Sequence, residues 1–277
     1  MSKFDEIKNQ KPDSFLRDVG VRLETFMLIL NKITNYYEEE YKENPMKKRG
    51  KKSSLCLEDM LLLTFYYLRH YPTFDQLGKR FGISESYACK IFHRITTILL
   101  NVLDMKSRHE LLNKDLDTVL IDVTEQPIER PQKGQKSYYS GKKKQHTIKV
   151  QLIVCLMKLQ ILSVICRKGH VHDFRILKES KVKIHPDIKK IGDSGFQGMD
   201  KLYQNSHTPI KKTKNNPLTK EDKQYNRALS QQRVRIENVN RRCKIFRITK
   251  ETYRGKHKNY SKTWNIIAGL VNLRYAA

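Results

Sequence analysis

The run Val119-Leu120-Ile121-Asp122-Val123 constrains the fold more than any other stretch of the chain. Apolar and largely β-branched, it lies between Asp117 and the polar Thr124-Glu125-Gln126-Pro127, the signature of a short buried central strand. Asp122 sits inside that run. A carboxylate in such a strand is strongly unfavourable unless a cation or a metal pairs with it. An Asp that ends the strand and caps the next turn has the same local sequence. Two later segments carry acids in similar settings: Ile188-Lys189-Lys190-Ile191-Gly192-Asp193-Ser194-Gly195 and Arg233-Val234-Arg235-Ile236-Glu237-Asn238.

The chain has 277 residues, enough for one large or two modest domains. Its 55 Lys+Arg against 29 Asp+Glu give a formal charge of +26. That excess repels itself in a compact fold and calls for a polyanionic partner, nucleic acid first and an anionic membrane surface second. No apolar stretch is long enough to span a bilayer, and Met1-Ser2-Lys3-Phe4-Asp5-Glu6 lacks the apolar core of a signal peptide. The five cysteines are scattered and have no CxxC spacing, which argues against structural zinc and for a reducing, cytoplasmic setting.

The first element is expected to begin near Asp13-Ser14, with Leu23, Phe26, Met27, Leu30 and Ile33 on one face of a packing helix. A basic linker follows at 45–54. Residues 57–67 form a strongly apolar helix. The segment Thr73-Phe74-Asp75-Gln76-Leu77-Gly78-Lys79-Arg80-Phe81-Gly82-Ile83-Ser84 then reads as helix, tight turn and helix start. That is helix-turn-helix spacing, with Ser84, Ser86, Tyr87, Lys90 and Arg94 as the candidates facing the DNA groove. An ordinary helical hairpin has the same spacing. A polar patch at 104–117 places a domain boundary, giving a helical DNA-binding domain at 1–116 and a second domain at 117–277.

In the second domain, 132–144 is dense in basic residues interleaved with tyrosines, and Lys142, Lys143 and Lys144 suit a nucleic-acid backbone. A lysine-rich hairpin without a specific role fits equally. Residues 147–155 and 161–166 read as strands that join 119–123 in a meander. In Gly169-His170-Val171-His172-Asp173, Asp173 is expected to cap the following helix, and a supporting role in a site stays open for His172 and Asp173, which lie close to a strand end. The segment 188–193 is a fourth strand, where Gly192 and Gly195 allow an unusual turn that presents Asp193 as a metal ligand; a turn Asp at the strand's end is the alternative. Residues 220–245 are helical, with Leu229, Val234, Ile236, Val239 and Cys243 on the buried side. Arg233, Glu237, Asn240 and Lys244 share a stripe, and Arg233–Glu237 alone would read as an ion pair on a wet helix. Residues 260–273 close the core.

Two strand-borne aspartates and a helix-borne glutamate on a strongly basic chain suit a two-metal phosphoryl-transfer site that binds Mg²⁺ or Mn²⁺. No GxxxxGK[ST] loop is present. Over residues 13–273 the chain resembles insertion-sequence transposases with a DDE catalytic core, in the group related to PIF/Harbinger elements. The resemblance rests on Gly20-Val21 with Phe26, the helix-turn-helix around Gly82, Ile121-Asp122-Val123-Thr124, Gly169-His170-Val171-His172-Asp173, Gly192-Asp193-Ser194-Gly195-Phe196-Gln197-Gly198, and Arg233-Val234-Arg235-Ile236-Glu237 with Lys244. It implies an α/β, RNase H-like mixed sheet flanked by helices, behind an all-α helix-turn-helix domain. Asp122, Asp193 and Glu237 match the metal-binding triad, with two ions. Arg233 and Lys244 match basic positions that meet the DNA end. Many relatives carry Tyr where this chain has Ser230, so no stacking role follows there. The implied activity is hydrolysis at the element's terminal inverted repeats and attack of the freed 3′-hydroxyl on target DNA. The expected partner is double-stranded DNA, on which the chain assembles as a homo-oligomer. A non-catalytic regulator and an RNase H-like nuclease without strand transfer are the alternatives.

Overall fold

The computed structural model describes residues 2–44, 53–103, 106–213 and 217–275. Most of the expected linker, 45–52, and the start of the polar patch at Asp104 and Met105 lie outside the described residues. The N-terminal part is all helical: α1 Lys3–Lys8, α2 Pro12–Val19, α3 Leu23–Glu43, α4 Leu57–His70, α5 Phe74–Phe81 and α6 Glu85–Val102. In place of the one long helix expected from residue 13, there are two, separated at Gly20, with α1 ahead of them. Gly20 sits at φ +87°, and a Cβ there would lie 2.6 Å from the Phe246 ring. α1 has no apolar periodicity long enough to read. It is held from below by buried Asp59, whose Oδ1 accepts from the Phe4 backbone N–H at 2.8 Å.

The helix-turn-helix follows its local chemistry closely. Thr73 and Gln76 form a reciprocal capping box at the start of α5. Gly82, at φ +66°, ends α5, and Ser84 Oγ accepts from the Tyr87 backbone N–H at 3.3 Å to start α6. Gly78 is required because a Cβ there would stand 2.6 Å from the Ile83 carbonyl oxygen. Leu77, Phe81, Ala88, Ile91, Phe92 and Ile95 are buried as their spacing requires.

The remaining chain builds a mixed sheet: β1 Thr118–Pro127, β2 Tyr139–Ser140, β3 Gln145–Cys155, β4 Ile161–Lys168, β5 Lys189–Gly192 and β6 Ser206–His207. Its helices are α7 Gln135–Tyr138, α8 Asp173–Ser180, α9 Lys220–Lys244 and α10 Tyr260–Tyr275. β1, β3 and β4 form the expected antiparallel meander. β5 runs parallel to β1 with Gly192 opposite Ile121, so the next residues, Asp122 and Asp193, leave the pair side by side. Alternation along β1 sends Leu120 to the core shared with α9, α10 and the N-terminal helices, and Val119 and Ile121 to a second core with Leu177, Ile188 and Phe196. Both faces of the sheet are therefore covered by helices, an α/β, RNase H-like arrangement behind an all-α region.

Arginines clasp the helical part to the sheet part. Arg69 donates to the carbonyl oxygens of Arg17 and Ile245, Arg254 Nη2 to those of Tyr71 and Pro72, and Arg274 Nη1 to Gly20. Gln126 closes the other side. Its Nε2 donates to the carbonyls of Ile248 (2.7 Å) and Glu251 (2.8 Å), while its Oε1 accepts from Tyr260 Oη (2.8 Å) and Trp264 Nε1 (3.3 Å). This fully satisfied buried amide ties the segment after α9 to the strand that carries Asp122.

Candidate active site

Between β1 and α9 lies an open cleft of about 630 Å³ lined by Asp122, Thr124, Glu237, Asn240, Arg241, Lys244 and Lys250, among others. Asp122 projects from the middle of β1 on the face toward α9, where its Oδ2 accepts from Asn240 Nδ2 at 2.7 Å. Burial, and then the neighbouring Asp193 carboxylate, push its pKa up to about 6; the Val123 N–H, Arg233 and Asn240 act in the opposite sense. Asp193 follows β5 directly, and its Oδ1 accepts from the Gly195 N–H at 2.8 Å. The two glycines beside it serve space and not conformation, since neither has positive φ. A Cβ on Gly192 would stand 3.0 Å from Phe196, and one on Gly195 would stand 2.9 Å from Asp193 Oδ1 and 3.2 Å from Asp173 Oδ2.

Glu237 is exposed on α9 and faces the same cleft. Among the described residues, no three acidic, histidine or cysteine side chains gather as a metal-holding group. The structure thus brings Asp122 and Asp193 together and leaves Glu237 on the other wall. Two carboxylates are a donor set that suits Mg²⁺ or Mn²⁺, which bind through one or two carboxylates and take the remaining positions from water and substrate phosphate. Asn240 adds a buried Oδ1 that has no hydrogen-bond partner among the described residues.

The rim of the cleft is basic. Lys244 is half-buried beside Asp122; burial lowers its pKa, Asp122 opposes that, and the charge of Lys143 adds to it. Lys142, Lys143 and Lys144 are exposed in the turn between β2 and β3. Among the described residues, Arg233 forms no ion pair with Glu237, and its buried Nε has no hydrogen-bond partner. Val234, expected on the buried side of α9, is 49% exposed. On α6, Ser86 and Lys90 are exposed, Ser84 caps the helix, Tyr87 Oη meets Ser53 Oγ at 2.6 Å, and the Arg94 guanidinium lies 5.2 Å over the Tyr37 ring.

Asp173 does not cap α8, whose N-cap residue His172 makes no side-chain cap bond either. Its Oδ1 instead accepts from Lys149 Nζ at 2.9 Å. Lys149, on β3, also donates to the Val171 carbonyl at 2.8 Å and lies 3.6 Å from Glu125, its cross-strand neighbour on β1. Sequence reasoning missed Lys149, Asn240 as a partner of Asp122, Gln126, Arg241 and Lys250. Lys149, a charged residue inside the largely apolar strand β3, was the one available signal.

Residues 121–272 match the family model described as DDE superfamily endonuclease, and residues 53–103 match the helix-turn-helix of DDE superfamily endonuclease. The chain is 39% identical over 280 residues to a probable transposase for insertion sequence element IS702 of Microchaete diplosiphon, covering 99% of each chain. Endonucleases of this superfamily generally use divalent metal ions. No helix among the described residues is long and apolar enough to cross a membrane. A helix-turn-helix, a mixed sheet bearing paired aspartates and a basic cleft, matched along nearly the whole chain, place this protein in the DDE superfamily endonucleases as an insertion-sequence DDE transposase.

Proposed function

We propose that this transposase cuts a phosphodiester at each end of its element and joins the freed 3′-hydroxyl to target DNA, with Asp122, Asp193 and Glu237 as the catalytic carboxylates. The observation that carries the reading is the pairing of Asp122 with Asp193, two adjacent acids with no lysine or arginine bonded to either among the described residues, the first of them lining a cleft whose rim is basic. A bound divalent ion, or two, would activate the attacking oxygen and stabilise the leaving one. Asp122 and Asp193 would hold it, and Glu237 would complete the set from α9 once DNA fills the cleft. Asn240 orients Asp122 through its amide. Lys244 and Arg233 hold the phosphates of the element's end against the carboxylates, and positioning of that kind contributes through orientation.

In the same reading residues 1–116 recognise DNA and 117–277 perform the chemistry. α6 reads the terminal repeat through Ser84, Ser86, Tyr87, Lys90 and Arg94, the last only if it leaves Tyr37. Lys142, Lys143 and Lys144 grip backbone. Two or more copies assemble on the paired ends, acting on chromosomal DNA in the cytoplasm.

The test is an assay that scores end cleavage and strand transfer separately on a duplex carrying the element's terminal repeat. Wild-type protein is expected to yield both products. Asp193→Asn is expected to lose about 10³–10⁴-fold in cleavage rate while still retarding the duplex. Cleavage retained by Asp193→Asn ends the assignment of the carboxylates. Cleavage without joined product makes the protein a nuclease.

A further inference from the structure

A second cleft, of about 530 Å³, lies where the helix-turn-helix meets the sheet part. One wall is α4, α5 and α6, and the other is the segment after α9 with the start of α10. Its lining contains Arg254, Lys256, Lys258, Lys262 and His93, and no Asp or Glu among the described residues. Arg254 is already committed, with its guanidinium 4.2 Å over the Tyr71 ring and bonded to the Tyr71 and Pro72 carbonyls. Lys256, Lys258 and Lys262 are exposed at the mouth. Burial and then the charges of Lys256 and Lys262 hold the His93 imidazole below its usual pKa, and all three line the same cleft. Inside, half-buried Phe74 stacks on Tyr67 at 4.6 Å with planes 5° apart, and Phe92 lies 5.8 Å from Phe74.

We propose that this junction cleft binds one unpaired nucleotide of DNA, its base among Phe74, Phe92 and His93 and its phosphate between Lys256 and Lys262. The combination of flat aromatic surface with a cationic mouth is how single-stranded nucleic acid is held. The volume falls in the range of pockets that enclose one small ligand. A duplex offers a recess of this size only its outer phosphates, so a base must leave the stack to fill it. The cleft is also joined to the active site. The segment that supplies Ile248, Tyr253 and Arg254 here supplies Ile245 and Lys250 to the catalytic cleft, and Gln126 fixes it to β1. A nucleotide held here would set the DNA strand relative to Asp122. The proposal rests on the functional reading above only in taking DNA as the ligand.

The test uses full-length protein and a duplex with a short single-stranded overhang that carries 2-aminopurine, beside the same duplex made blunt. Wild-type protein is expected to quench the 2-aminopurine by stacking and to bind the overhang duplex about tenfold more tightly than the blunt one. Lys256→Gln/Lys262→Gln, at two exposed positions outside the core, should abolish both effects and leave blunt-duplex affinity unchanged. His93→Leu should reduce the quench while leaving the melting temperature in place. Asp193→Asn should quench as wild type does, so a failed cleavage assignment and a failed nucleotide site give different results. An overhang that stays bright overturns the proposal, as does an equal loss of blunt and overhang binding in the double variant. Inorganic phosphate competing as well as dTMP would reduce the cleft to an anion patch and overturn it too.

Discussion

Two pairs of carboxylates lie beside β1, with Asp193 of one and Asp173 of the other on either side of Gly195, and the chain treats the pairs in opposite ways. Glu125 and Asp173 flank the buried ammonium of Lys149, which also donates to the Val171 carbonyl. That group is closed, with its cation built in. Asp122, in the middle of β1, and Asp193, just past β5, lie side by side with an amide, a backbone N–H and a more distant guanidinium for company, and Asp122 is pushed up to about 6. In the first pair the fold supplies a lysine; in the second it leaves the acids without one, and an outside cation has a place. The difference marks the functional pair among the many acids of a basic protein.

Removing the built-in cation should give the largest change in stability. Lys149→Met leaves two carboxylates facing each other with little solvent, and breaking such a partly dry pair costs about 3–5 kcal/mol. Chemical denaturation should show that loss, and Asp173→Asn in the same background should recover part of it. Equal stability of Lys149→Met and wild type would remove the contrast.

The open pair should behave in the reverse sense. A folded-state carboxyl near 6, against an unfolded value near 3.8, binds its proton more tightly when folded. Its contribution is therefore favourable below about pH 4 and is lost as pH rises toward 6. In EDTA, Asp122→Asn should equal wild type near pH 4 and exceed it above pH 6 by about 1–3 kcal/mol. Thermal melts across that window check this, and a variant less stable than wild type at neutral pH would show that the acid pair is not under strain.

A smaller effect belongs to the rim. Replacing Lys142, Lys143 and Lys144 with Ala should lower affinity for every duplex alike and flatten the plot of log affinity against log salt by about 0.9 for each phosphate no longer neutralised. Lys90→Ala should instead cost about 1–3 kcal/mol at particular base pairs. Titrations at several salt concentrations on specific and random duplexes separate the two.

Much of this was legible in the sequence, for physical reasons that also explain the failures. The strands around Asp122 and Asp193 announce themselves because a lone acid in an apolar run is rare, whereas their parallel pairing is a long-range contact that no local pattern records. The helix-turn-helix is written in local chemistry, from Thr73 and Gln76 to Gly82 and Ser84. Asp173 misleads because a capping acid and the partner of a lysine 24 residues away have the same local sequence. Gln126 is invisible for a related reason, since its four partners lie more than 120 residues on. Val234 misleads because helical periodicity fixes a face but not how much of that face a neighbour covers. Glycines 192 and 195 read as conformational, whereas Phe196 and the two aspartates simply leave no room for a Cβ.

The central claim, that the uncompensated aspartates are the cation site, is tested most directly by electron paramagnetic resonance of Mn²⁺ titrated into the full chain without DNA. Wild type and Lys149→Met should bind Mn²⁺ alike, provided the second remains folded, and Asp122→Asn and Asp193→Asn should each lose that binding. Mn²⁺ binding undiminished in Asp122→Asn and Asp193→Asn would contradict the account.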